Sequence, residues 1–385
     1  MLHDSLDCLR EPRYPLSVPT ARSFAAFAQS DGSAPRSPWD FYRAYGLPYS
    51  ETAGSGVTVA VVAAIYASGR YLQSDFDAFN RAFGLPAAVI EMLYSRSTSG
   101  ETGDGQSGRA VDSWRMEATA DVSWLHAVTP GAKIVCVLAP NAAITSLMQA
   151  VLLAAEKADI VSMSFGSAEF ETQTEFDESL RATEKCFVAS SGDAGGAVCY
   201  PSASASVVSV GGAVFHRNPV NGSVFSYSAW ENGGGGPSLY TGIPEWQKRF
   251  SPIAAMSGGR RATPDIALDA CLSPGYAVYD RAAGDFRGIC GTSIGAPVFS
   301  GILARHMARS GRRLTAAQVG NALYAAAGTD SYDSEQAKAS YYDVILGSNG
   351  RFDARIGYDF CTGLGVPLGG VQKIRCTFCD SIYTI

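Results

Sequence analysis

Two kinds of apolar pattern alternate along the chain. Val57-Thr58-Val59-Ala60-Val61-Val62-Ala63 is a continuous, β-branched run of the kind found in strands buried on both faces. The segment from Ser74 to Phe83, closed by Gly84, then reads as a helix. Further strands are predicted at Lys133 to Leu138, Ile160 to Ser164, Cys186 to Ser190 and Val207 to Val210, with helices at Ala142 to Ala158 and Glu175 to Lys185. This alternation predicts an α/β fold with a mostly parallel central sheet, helices on both faces, and functional groups at the carboxyl ends of the strands. Residues 1–45 are rich in Pro, Ser, Ala and Arg without clear periodicity, and read as a wrapped or flexible leader segment.

Composition changes little in that picture but removes several function classes. A chain of 385 residues, 46% hydrophobic, can bury a large core as one large domain or two ordinary ones. A formal net charge of −6 with interspersed signs leaves no basic footprint for nucleic acid. No apolar run reaches the roughly 18 to 20 residues that cross a bilayer, and the first 40 residues lack a signal-peptide core. No membrane partner is expected. Nine cysteines form no repeated metal pattern, and the pair Cys376-x-x-Cys379 stands alone. Two Gly-rich stretches, Gly100 to Gly108 and Gly233 to Gly236, match no phosphate loop and read as loops, or as lining for a cleft where a peptide backbone lies close.

Candidate chemistry centres on Cys290-Gly291-Thr292-Ser293-Ile294-Gly295-Ala296-Pro297, which opens an apolar helical run. Ser293 therefore falls where a turn becomes a helix, and the free N–H groups there favour developing negative charge. The reading is a nucleophile; the alternative is that Thr292 and Ser293 merely cap a core helix. None of the four histidines, His3, His126, His216 and His306, is well placed as a base. A carboxylate pair is better placed. Glu117 and Asp121 are four residues apart on a mostly apolar stretch, so one helix face carries both, an expensive arrangement in a buried helix. A solvated acidic face is the alternative. A third acid, Asp193, follows the strand Cys186 to Ser190 in a Gly-flanked turn, either at the active end of the sheet or simply as a turn former.

With Ser293, Glu117-x-x-x-Asp121 and Ser190-Ser191-Gly192-Asp193 in hand, the sequence resembles the serine-carboxyl peptidases of the sedolisin family. Further stretches match in order: Thr129-Pro130-Gly131, Ser164-Phe165-Gly166, Tyr200-Pro201-Ser202, Val210-Gly211-Gly212, Gly233 to Gly236, Pro264-Asp265-Ile266-Ala267 and Gly357-Tyr358-Asp359 through Gly365. The resemblance runs from about Tyr45 to Pro367. It implies a subtilisin-like fold, a single catalytic domain over 46–370 with a C-terminal calcium loop, and a tail over 371–385.

Carried over by position, the resemblance implies Ser293 as nucleophile, Glu117 as general base and later acid, Asp121 as the residue that orients Glu117, and Asp193 as the acid at the oxyanion site. It also implies one Ca²⁺ ion held by the carboxylates of Asp343 and Asp359 and the backbone carbonyls of Val344, Arg355 and Gly357, an oxygen-only set that suits a hard cation. Arg355 stands where family members commonly have Gly, and Phe165 where Trp is common. The large N-terminal prodomain usual in the family has no counterpart in these residues. The expected activity is hydrolysis of peptide or protein substrates in acid by a monomer, in a secreted or acidic lumenal setting. The rival is a catalytically inactive peptide-binding homologue.

Overall fold

A computed structural model describes residues 22–23, 26–27, 34–96, 108–218, 223–270, 274–328 and 335–368. The expected tail and the pair Cys376 and Cys379 lie outside these residues, as do His3 and most of the first Gly-rich stretch.

Eight strands make the main sheet: β1 (Thr58–Ala64), β2 (Ile90–Tyr94), β3 (Lys133–Ala139), β4 (Ile160–Met163), β5 (Cys186–Ser190), β6 (Val208–Arg217), β7 (Val224–Ala229) and β8 (Ile266–Asp269). Their order is β7-β6-β5-β4-β1-β3-β2, with β8 pairing along the middle of β6. Every pairing is parallel except β6 with β7, so the α/β expectation holds. The central strands are buried almost throughout, which is why they read as continuous apolar runs rather than alternating ones.

The helices are α1 (Pro38–Tyr45), α2 (Leu72–Phe83), α3 (Gly108–Val128), α4 (Ile144–Lys157), α5 (Gln173–Ala182), α6 (Thr292–Ser310) and α7 (Ala316–Ala327). α3 and α6 pack on each other and on the sheet, and α4 packs on β1 and β3. Arg305 Nη1 on α6 donates to the Val128 carbonyl at the end of α3 (2.8 Å), fixing the two helices relative to each other. Among the described residues no helix is long and apolar enough to cross a membrane.

One boundary needs correction. The leader was expected to run unpatterned through residue 45, yet its last eight residues form α1, with Phe41, Tyr42 and Tyr45 buried in the core. Ser37 and Asp40 make a capping box, with Pro38 at the first helical position. Arg36 Nη1 bonds Asp269 Oδ2 (2.7 Å), and the Tyr42 hydroxyl donates to the Ala127 carbonyl (2.7 Å). The folded unit therefore begins before residue 45.

Candidate active site

Ser293 sits in the first turn of α6. The helix is entered through Gly291 at φ 146°, a conformation that side-chain-bearing residues rarely adopt. Gly291 is the N-cap, and neither hydroxyl beside it caps the helix. The capping alternative for Thr292 and Ser293 therefore falls. Ser293 is fully buried, and among the described residues its Oγ has no hydrogen-bond partner.

Glu117 and Asp121 lie on α3, which packs against α6, and both are fully buried, so the solvated-face alternative falls too. Ser164, immediately after β4, joins the two helices. Its hydroxyl is 2.6 Å from Asp121 Oδ1 and 3.2 Å from the Ser293 carbonyl oxygen. Burial drives the Asp121 carboxyl well above its ordinary range, and the neighbouring Glu117 charge raises it further against the opposing Ser164 bond. Other buried acids show what ordinary compensation looks like: Asp265 faces Arg261 at 2.6 Å through both oxygens, and Asp269 takes Arg36, Arg217 and Tyr276. Among the described residues neither Asp121 nor Asp193 has a cationic partner. A buried acid, Asp121, and a half-buried one with a shielded oxygen, Asp193, both without a cation, are costly to the fold, the usual mark of a site kept for chemistry.

Asp193 follows β5 at its carboxyl end. Its Oδ1 accepts from the Thr292 amide (2.9 Å) and the Thr292 hydroxyl (2.7 Å), which ties it to the start of α6. Its outer oxygen, Oδ2, is shielded from solvent and has no hydrogen-bond partner among the described residues. Desolvation outweighs the two Thr292 bonds and pushes this carboxyl up to about 7. Thus Ser293, Asp121 and Asp193 are linked through Ser164 and Thr292 around one helix start, with Glu117 a turn away from Asp121.

The run Gly233 to Gly236 serves this loop. The Gly234 amide donates to the Gly192 carbonyl (2.7 Å), and a Cβ on Gly234 would stand 2.2 Å from the Ser191 carbonyl oxygen. These glycines allow backbone to lie on backbone beneath Asp193.

The three described histidines lie elsewhere. His126 Nε2 lies 2.8 Å from the Pro86 carbonyl, its ring meets Phe76 edge-on, and burial lowers its proton affinity. His216 Nε2 lies 2.9 Å from Ser228 Oγ, and His306 is buried well along α6.

Two backbone bonds join the expected calcium residues. The Gly357 amide donates to Asp343 Oδ2 (2.9 Å) and the Arg355 amide to Asp359 Oδ2 (3.0 Å). Asp359 is fully buried, and Oδ1 also accepts from the Cys361 and Thr362 amides. Two carboxylates bracketing one short turn, with Arg355 itself exposed rather than buried beside them, fit a hard cation. Among the described residues no group of three or more His, Cys, Asp or Glu side chains is arranged to hold a metal. The expectation thus rests on two acids and backbone carbonyls.

Sequence reasoning missed two residues: Ser164, noticed only within a matching stretch, and Thr292, seen only as a possible cap. It also missed a pairing of the chain with itself. Arg22–Ser23 pairs antiparallel with Gly166 and Phe165, next to Ser164, and lies against α3. Ala26–Phe27 pairs with Cys290 and Ile289, directly before Gly291.

Comparison with known proteins speaks to the family and the fold. The subtilase family profile matches residues 99–354, and the chain belongs to that family. Within it the chain falls among the sedolisins. It is 27% identical to kumamolisin of Bacillus sp. (strain MN-32), over 93% of this chain and 66% of that protein. It is 26% identical to sedolisin of Pseudomonas sp. (strain 101), over 91% of this chain and 63% of that protein. The chain thus spans slightly under two thirds of these relatives. The solved structure of Pseudomonas sedolisin, a serine-carboxyl proteinase complexed with two molecules of pseudo-iodotyrostatin, superposes with a TM-score of 0.74 at 23% identity, covering 91% of this chain and all of that one. An S41 psychrophilic protease gives 0.56 at 17% identity, over 87% and 99%. Both likenesses speak to the fold alone.

Proposed function

We propose that this chain is a serine peptidase of the sedolisin kind that hydrolyses peptide bonds in acid. The observation that carries the reading is the buried, unpaired Ser293 hydroxyl at a helix start whose backbone carbonyl and neighbouring Thr292 are tied, through Ser164 and directly, to two acids without a cationic partner among the described residues. Ser293 Oγ attacks the substrate carbonyl while Glu117 takes its proton, then returns it to the leaving amine. Asp121 orients Glu117 and shares that proton. Asp193, neutral, donates a hydrogen bond to the oxyanion. Water then attacks the acyl-enzyme, again with Glu117 as base, and releases the acid product. A Ca²⁺ ion held by Asp343, Asp359 and the carbonyls of Val344, Arg355 and Gly357 would supply structural charge compensation in the C-terminal loop. The four acting residues all come from one chain, so a monomer suffices, and acid chemistry suits a secreted or acidic lumenal setting.

The pH dependence follows from the acids. Asp193 is neutral below about 7 and loses its donor as pH rises through that value. Asp121 is likewise held protonated, and burial raises Asp177 to about 6. Each binds a proton more tightly folded than unfolded, so its contribution to stability is full below about pH 4 and is lost as pH rises through the folded value. Turnover of a protein mixture is therefore expected to peak well below neutrality, with a higher melting temperature at pH 4.5 than at pH 7.5. Activity peaking near pH 8 and vanishing below pH 5 contradicts the assignment.

The pairings at Arg22–Ser23 and Ala26–Phe27 support a peptide groove, because extended backbone already adds to two strand edges, one next to Ser164 and one leading into Gly291. A substrate must displace it. Removing residues 1–33 is expected to lower KM by about tenfold with kcat unchanged, since an occupied site weakens apparent affinity by the fraction that is open. An unchanged or higher KM would show that the segment does not compete.

A further inference from the structure

We propose that Thr292 is a positioning residue that decides which oxygen of Asp193 carries the acid proton, making Oδ2 the donor atom. The inference rests on the reading of Asp193 as the oxyanion-site acid and deepens it.

The hydroxyl of Thr292 has its direction imposed. The Gly192 amide donates to Oγ1 (3.1 Å), which occupies the hydroxyl as an acceptor, so its single proton is directed to Asp193 Oδ1 at 2.7 Å. The Thr292 amide donates to the same Oδ1 at 2.9 Å. An oxygen whose two lone-pair sites both receive donors takes a proton of its own only by turning one of them away. The proton of the neutral acid therefore resides on Oδ2, the shielded oxygen that has no partner among the described residues. Thr292 is itself fully buried, so water does not compete for these bonds.

Placement adds to the argument. Thr292 precedes Ser293, so the group that aims the acid and the group that attacks share one peptide unit, and a shift of the helix start moves both together. Threonine suits the task because its branched Cβ restricts χ1. The ionisable residues on neighbouring segments do not compete for the role. The Cys199 thiol, which feels the Asp193 charge, is pushed by burial up to about 12 and stays neutral. Glu231 and Arg351, on the segments beside Gly195 and Gly196, are exposed.

The test compares Thr292→Val and Thr292→Ser with the wild type by kcat, KM, the pH profile, and ¹³C NMR titration of the Asp193 carboxyl. Thr292→Val keeps the amide donor and the side-chain volume but loses the hydroxyl. It is expected to lower kcat by roughly tenfold, less than the ~10² to 10³ for losing an oxyanion donor outright, with KM little changed. The hydroxyl bond favours ionised Asp193, so its loss is expected to move both the Asp193 titration and the alkaline limb of activity to higher pH. Thr292→Ser is expected to restore both. A residue that merely supports the fold would lower kcat without moving the titration upward. Wild-type kcat and titration in Thr292→Val, or a Thr292→Ser as impaired as Thr292→Val, overturns the proposal. If Thr292→Val does not fold, Thr292→Ala carries the same expectation. A wild type without turnover defeats the peptidase reading itself, while the carboxyl titration still decides the role of Thr292.

Discussion

Ser293→Ala is expected to abolish peptide turnover at pH 4, by about 10⁶-fold, the scale for removing a serine peptidase's nucleophile, while leaving the fold as stable as before or more so. The second half of that expectation is the sharper one. A buried hydroxyl that anchors structure loses a hydrogen bond on truncation and lowers stability by about 1 kcal/mol. Ser293 Oγ has no such bond among the described residues, so truncation removes only a desolvated polar atom. Lost activity with an unchanged or raised melting temperature is the signature of a group held for chemistry. Lost activity with a melting temperature several degrees lower would return Ser293 to a structural role. A wild type that binds peptides but does not cleave them, unaffected by the substitution, would establish the inactive binding homologue instead.

The sheet was legible because its strands are buried on both faces. A run such as Val57 to Ala63 permits few other readings, and β1, β3, β4 and β5 fall within a residue or so of expectation. α1 was not legible by periodicity, since its eight residues are too short to show a period. Its signal was local, in the capping pair Ser37 and Asp40 around Pro38. The four acting residues stood out because two acids on an apolar helix and a Gly-flanked serine are chemically conspicuous. Ser164 and Thr292 were not. A hydroxyl that bridges Asp121 to the backbone of Ser293 acquires its role only when α3, α6 and the end of β4 meet, and nothing local records that meeting. The run Gly233 to Gly236 was legible as close backbone approach but not as to what approaches, which is the Asp193 loop.

Glu117→Gln against His126→Ala separates the two chemistries that this fold can carry. Glu117→Gln keeps shape and removes the base, so kcat is expected to fall by roughly 10² to 10⁴-fold with KM nearly unchanged. It also removes the charge that helps hold Asp121 protonated, so Asp121 is expected to titrate at lower pH in the variant. Exchanging a buried carboxyl for an amide relieves desolvation, and stability should not suffer. His126→Ala should do the opposite. The ring is bonded to the Pro86 carbonyl and packed against Phe76, so its loss leaves a cavity, costing about 1 to 3 kcal/mol of stability, with kcat within about twofold of wild type. Acid makes the contrast stronger, because a histidine base is protonated and idle at the low pH where a carboxylate can still accept. A chain that stops working when His126 is replaced and continues with Gln at 117 uses a histidine-assisted serine, and the acids on α3 would then need another explanation.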